Sequence, residues 1–152
     1  MILKPVFRLK NREGKPVMDN LTPAQRSHCM ASVRGKNTTP EMVVRRLVYS
    51  LGHRYRLHLR SLPGNPDLVF SSKRKVIFVH GCFWHMHNCP KGRVAPLNNA
   101  GYWTAKRHAN VRRDRNNIRR LKAEGWKVLV VWECWTRDQA LYQKRLGQFL
   151  SV

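Results

Sequence analysis

Acidic residues are scarce in this chain. Asp and Glu number 8 against 30 Lys and Arg, a formal net charge of +22 over 152 residues. The basic residues run along the whole chain instead of forming a tail, so the expected partner is a polyanion, nucleic acid being the usual one. Charge alone also fits a solvated basic surface or an RNA binder without chemistry. Long apolar runs are missing too: nothing approaches the roughly 20 residues of a membrane span, and no secretory signal pattern opens the chain, so the expected compartment is cytoplasmic with no membrane partner. Cysteine is sparse, at Cys29, Cys82, Cys89 and Cys134. Without a signal peptide, disulfides are the weaker reading and a metal site the stronger. No internal repeat occurs. Hydrophobic residues still make up 42% of the chain, enough for one domain with a real core.

One stretch stands apart: Val76 to Cys89, VIFVHGCFWHMHNC. The β-branched run Val76-Ile77-Phe78-Val79 has the length and content of a buried strand. It stops at His80-Gly81 and is followed by Cys82, Phe83, Trp84, His85, His87 and Cys89. Histidine and cysteine at this density point to metal binding, catalysis or both.

The rest of the chain supplies a frame. Residues 1–17 are basic and without apolar period, an expected loose extension to a single domain over 18–152. Thr22-Pro23 predicts a short helix to about Val33. It carries Cys29, expected to pack, and Met30, either a core residue or part of a basic arm on DNA. Thr38 and Glu41 have capping-box spacing ahead of a helix whose face runs through Val43, Val44, Leu47, Val48 and Leu51. Glu41 reads first as a cap and second as a neighbour of a metal site. Alternation over 53–59 predicts a strand, Leu62-Pro63-Gly64-Asn65-Pro66 a turn, and Leu68-Val69-Phe70 a strand headed by Asp67. A Pro/Gly/Asn loop is expected over 90–100. A long helix over about 104–124 follows, with Val111, Ile118 and Leu121 inward. Asp114 falls on that inner stripe and needs a partner there. Lys106, Arg107, Arg112, Arg115, Arg119 and Lys122 are expected on the other face, either solvated or gripping phosphates. A strand over 126–132 and a helix over 139–150 complete an α/β order with a mixed sheet flanked by helices.

Two cation sites of different chemistry follow from the residue types. Cys82, His87, Cys89 and Cys134 offer three sulfurs and a nitrogen, which would close the tetrahedral shell of a structural Zn²⁺. Asp67 is an oxygen donor suited to Mg²⁺, with a backbone carbonyl near Val79 available on the adjacent strand. As a lone aspartate it could equally cap its turn; the neighbouring histidines favour chemistry. Either His80 or His85 could take a proton from an attacking water.

Taken together, RSHCMASVRGKNTTPE, LPGNPDLVF, FVHGCFWHMHNC, NVRRDRNNIRRLKAEGW and VLVVWEC resemble the Vsr (very short patch repair) mismatch endonucleases over about Leu21 to Cys134. The resemblance implies a restriction-endonuclease-like fold of the PD-(D/E)XK type, and strand-specific nicking 5′ of the T in T:G mispairs left by 5-methylcytosine deamination. It implies Asp67 as the Mg²⁺ carboxylate with the Val79 carbonyl, His85 as general base, and His80 near the phosphate or leaving group. Glu41 would support metal-bound waters and Asp114 would orient a catalytic histidine. Phe83, Trp84 and Trp103 would form a wedge beside the mismatch, with Met30 entering from the opposite groove. The implied partner is double-stranded DNA met by a monomer, with other mismatch-repair proteins as further partners. Val79 departs from the threonine of the best-known member, a change that a backbone ligand tolerates. The rival readings are a restriction-like nuclease with no mismatch requirement and a non-enzymatic zinc-stabilised nucleic-acid binder.

Overall fold

The computed structural model describes residues 22–31, 35–95 and 99–151. Four strands form one sheet in the order β1 (Arg56–Leu57), β2 (Leu68–Phe70), β3 (Lys75–His80), β4 (Lys127–Trp132). β1–β2 and β2–β3 pair antiparallel, and β3–β4 pair parallel from Lys75↔Lys127 to His80↔Trp132. The parallel step requires a crossover, and the chain makes it through α3 (Pro90–Arg93) and the 24-residue α4 (Ala100–Ala123).

Side-chain alternation divides the core into two layers. Leu68, Phe70 and Ile77 face α2 (Thr39–Ser50) and α5 (Gln139–Ser151), packing with Val44, Leu47, Val48, Tyr142, Leu146 and Leu150. Val69, Val76 and Phe78 face α4, where Leu121 is fully buried and Ile118 partly so. No helix of the described residues is long and apolar enough to cross a membrane.

Two helix starts behave as their sequences predict. Thr38 Oγ1 accepts from the Glu41 N–H and Glu41 Oε2 accepts from the Thr38 N–H, a complete capping box. Thr22 and Gln25 exchange the equivalent bonds ahead of α1 (Pro23–Ala31).

Four expectations need correction. The strand expected over 53–59 is only Arg56–Leu57, because His58 adopts a left-handed backbone with φ 47° and leaves the ladder. The loop expected over 90–100 contains the one-turn helix α3, opened by Pro90 at a position where its missing N–H is harmless. The long helix begins at Ala100, four residues early. Arg107, expected on the solvent face of that helix, is buried. The extension over 1–17 and the side chains of Cys29 and Met30 lie outside the described residues.

Ile77 sits at the centre of the sheet with no exposed surface. Ile77→Ala should cost about 2–5 kcal/mol, a transfer term plus a cavity that strands on both sides keep from collapsing. Urea unfolding checks this: a lowered midpoint with an unchanged m-value is expected.

Candidate active site

The strand register brings the chemistry to one end of the sheet. Leu68 pairs with Ile77, so Asp67, just before β2, lies level with the end of β3. There its Oδ2 accepts from the Val79 N–H at 2.7 Å. His80 is the last residue of β3, and His85 follows in the turn after it. The two imidazoles stack with centroids 3.9 Å apart and planes 10° from parallel. His85 Nδ1 hydrogen-bonds Asp114 Oδ2 from α4. Asp67, Val79, His80, His85 and Asp114 line one cleft of about 530 Å³, together with Lys36, His58, Asn65, Arg113 and Asn117. The carboxylate and the candidate bases thus share one cavity.

Burial tunes these groups in opposite directions. Asp67 is pushed up to about 6, chiefly by burial; the Val79 N–H opposes the shift, while the nearby Glu41 carboxylate adds to it. His80 is pushed down to about 4 by burial and by the neighbouring His85, so in the free protein it is neutral at pH 7. Asp114 is also disfavoured as an anion by burial. Its bond to His85 and the charges of His85, His80 and Arg113 outweigh that and hold it below the usual carboxylate range.

Glu41 serves as the cap expected of it, and it also stands beside His58. One carboxylate oxygen closes the capping box, and the other meets Arg45 and, at 3.1 Å, His58 Nε2. His58 Nδ1 lies 3.7 Å from Asp67 Oδ1. Sequence reasoning missed Arg45 and His58. Arg45 looks like one more basic residue on a helix, and His58 like the polar face of a strand.

A second cluster lies past the ends of β3 and β4. Cys82, His87, Cys89 and Cys134 place one ligand atom each within 4.8 Å of one another. Cys134 Sγ lies 3.4 Å and Cys82 Sγ 3.7 Å from His87 Nδ1, and the His87 ring stacks on Trp132 at 4.3 Å. Burial pushes the Cys82 thiol up to about 12. Burial also acts to raise Cys89, but backbone N–H groups of Gly92 and Lys91 and its bond with Cys82 bring it below its ordinary value. Three sulfurs and an imidazole converging without a disulfide fit a tetrahedral thiophilic ion. Glu133, also missed from sequence, accepts the Cys82 N–H at 3.2 Å and pairs with Lys91.

The aromatic residues stand beside this cluster. Phe83 and Trp103 are 6% and 5% exposed, and Trp84 is half-buried. Trp84 contacts both, with centroids 5.1 Å from Phe83 and 5.8 Å from Trp103. Arg107 locks the block from behind. Its guanidinium donates to the carbonyls of Phe83 and Val94, both at 2.7 Å, and to that of Gly92, and it lies 4.6 Å from the Phe83 ring centroid. Lys106, Arg112, Arg115, Arg119 and Lys122 are exposed along α4 as expected.

Known proteins resemble this chain over most of its length. Residues 18–91 match the family described as DNA mismatch endonuclease Vsr. The chain is 48% identical over 133 residues to the type II nicking enzyme V.XorIIP of Xanthomonas oryzae pv. oryzae, covering 88% of this chain and 97% of that protein. It is 39% identical over 132 residues to the type II nicking enzyme V.NmeAIP of Neisseria meningitidis, covering 87% of this chain and 94% of that one. With the DNA mismatch endonuclease Vsr of Escherichia coli K12 it shares 41% identity over 127 residues, covering 80% and 81%.

The raised Asp67 yields a stability prediction. An acid whose folded pKa exceeds its unfolded value binds its proton more tightly when folded, so it weakens the fold as pH rises from 3.8 through about 6. At about 1.4 kcal/mol per pKa unit, the penalty above pH 6 is on the order of 3 kcal/mol. Asp67→Asn keeps an acceptor for the Val79 N–H and should therefore stabilise the metal-free protein at pH 7 by up to that amount, with the gain vanishing below about pH 4. Unfolding of both proteins in chelator across this range measures it; a gain independent of pH would mean burial is not the cause.

Proposed function

This chain belongs to the Vsr family of DNA endonucleases, and we propose that it nicks one strand of duplex DNA 5′ of the T in a T:G mispair, by Mg²⁺-assisted phosphodiester hydrolysis. The observation that carries this reading is the His85–Asp114 pair, which shares one cleft with a partly buried, backbone-anchored Asp67.

Each residue's part follows from its surroundings. With Nδ1 hydrogen-bonded to Asp114, His85 keeps Nε2 free to take the proton of an attacking water. The Asp114 carboxylate fixes the ring and offsets the positive charge that the ring then carries. His80, neutral and stacked on His85, is suited to donate a hydrogen bond to a phosphoryl oxygen; the incoming anionic phosphate would raise its proton affinity. Asp67, with the Val79 carbonyl, would hold Mg²⁺, which when bound stabilises charge on the scissile phosphate and leaving oxygen. Glu41 would accept from the waters completing its shell. Cys82, His87, Cys89 and Cys134 would hold a structural Zn²⁺ that ties the ends of β3 and β4 together. Lys36 and Arg113 at the cleft, and the exposed cations of α4, suit a phosphate backbone.

Mismatch choice is assigned to Phe83, Trp84 and Trp103, with Met30 opposite, as a wedge into the base stack. Because Phe83 and Trp103 are buried in the free protein, insertion requires this block to turn outward. A T:G site lacks twofold symmetry, which suits a monomer.

The test compares matched and T:G duplexes with Mg²⁺. Wild type should nick only the T strand of the mispair; equal cutting of matched DNA would favour a restriction-like nuclease, and no cutting a binding protein. Asp67→Ala should abolish nicking and retain DNA binding, and His85→Ala should slow it about 10²- to 10⁴-fold. Phe83→Ala should narrow the preference for T:G over matched DNA, and an unchanged preference would remove the wedge.

A further inference from the structure

We propose that His58, backed by Arg45, is a positioning residue of the cation site: its ring holds Glu41 and the cleft-lining Asp67 apart at a fixed distance, and so sets how well they take a divalent ion. This deepens the reading of Asp67 as the cation-binding carboxylate and rests on it.

Glu41 and Asp67 come from different elements, one at the start of α2 and the other before β2. Their side chains are 3% and 18% exposed, so water screens their repulsion poorly. His58 is the ring between them, with Nε2 3.1 Å from Glu41 Oε1 and Nδ1 3.7 Å from Asp67 Oδ1. Arg45 closes the far side. Its Nη2 meets Glu41 Oε1 and lies 2.9 Å from His58 Nε2, while Nη1 donates to Asn37 Oδ1 at 2.8 Å. The guanidinium thus holds the outer face of Glu41, and the imidazole passes that constraint on to Asp67. Asp67 itself has one oxygen on the Val79 N–H, and the other faces His58. The second is the oxygen with no backbone bond, and the His58 ring limits how far it can turn.

The backbone supports a purpose for this placement. His58 is held at φ 47°, a conformation that a side chain bearing a β-carbon seldom adopts. The strand β1 ends at Leu57, next to it. The fold gives up further ladder pairing and accepts a left-handed residue, and the result is an imidazole aimed into the cleft.

The rival explanation is that His58 only fills space. Three variants separate the two. His58→Leu keeps volume and removes both nitrogens. His58→Gln places an amide N–H near the Nε2 position and keeps the bond to Glu41. His58→Ala removes both volume and polarity. The readout is Mn²⁺ affinity of the purified full chain without DNA, followed through the free-ion electron paramagnetic resonance signal. Asp67→Asn serves as the reference.

Positioning predicts that Leu and Ala weaken Mn²⁺ binding about ten- to a hundredfold, the range for residues that orient metal ligands, while Gln stays close to wild type. A Leu variant binding as well as wild type would overturn it, as would a Gln variant as weak as Ala. If Ala fails to fold, the Leu and Gln pair still decides. The reference keeps the two claims apart. If Asp67→Asn binds Mn²⁺ as wild type does, the reading of Asp67 falls and this inference with it. If Asp67→Asn loses binding while His58→Leu keeps it, only the positioning role falls.

Discussion

The bond from the Val79 N–H to the Asp67 carboxylate is the contact on which the site depends. It exists because β2 and β3 pair with Leu68 opposite Ile77. A slip of one residue would carry every side chain of β2 to the other face of the sheet, taking Asp67 from the cleft and Val69 from the α4 layer together. The hydrophobic layers therefore fix the register, and the register fixes the carboxylate. The parallel pairing of β3 with β4 extends the same logic. His80 ends opposite Trp132, so Cys82 and Cys134 emerge side by side just beyond. Cys82 Sγ even accepts the Cys134 N–H at 3.3 Å. One end of the sheet thus serves both clusters, and an ion held at the cysteine cluster would also restrain the turn that carries His85.

The distribution of charge gives this end of the sheet its character. Of the 8 acidic residues, four (Glu41, Asp67, Asp114 and Glu133) stand in or beside the two clusters, while the 30 cations are spread along the chain. A polyanion drawn to such a surface is brought against the few carboxylates it should avoid. Phosphate and Asp67 can approach closely only if a cation lies between them. A binding protein has no use for that frustration. A phosphodiesterase does, because the charge that satisfies both groups is also the one that stabilises the leaving oxygen.

What could be read from the sequence was local. Thr38 and Glu41 declared a capping box because both partners lie within one turn. Asp114 was placed inward by its spacing from Val111 and Ile118. The block from His80 to Cys89 declared itself by density alone. What could not be read depends on partners distant along the chain. Arg107 has the same local setting as Lys106, and nothing nearby signals that its acceptors are the carbonyls of Phe83, Gly92 and Val94. His58 fits an alternating strand by its sequence, yet its backbone is left-handed. Arg45, four residues after Glu41, looks like an ordinary surface helix pair, yet it is 7% exposed. Buried cations are rare enough that a chain so rich in Lys and Arg conceals the few that are structural.

The buried aromatic block bears on how a wedge could discriminate. Moving a ring such as that of Phe83 from its seat into water costs about 1.5–3 kcal/mol. Stacking it against a base returns roughly 1–3 kcal/mol, and opening a base step costs a few more. The two costs together exceed the stacking gain by a few kcal/mol, roughly, so insertion into matched DNA would be unfavourable. A mispair lowers only the opening cost, and that reduction then decides whether insertion occurs. A permanently exposed wedge would lack the first of these costs and would insert more readily into any duplex. On this argument the Arg107 bond to the Phe83 carbonyl would contribute to selectivity, because it adds to a cost that only an already weakened base step offsets.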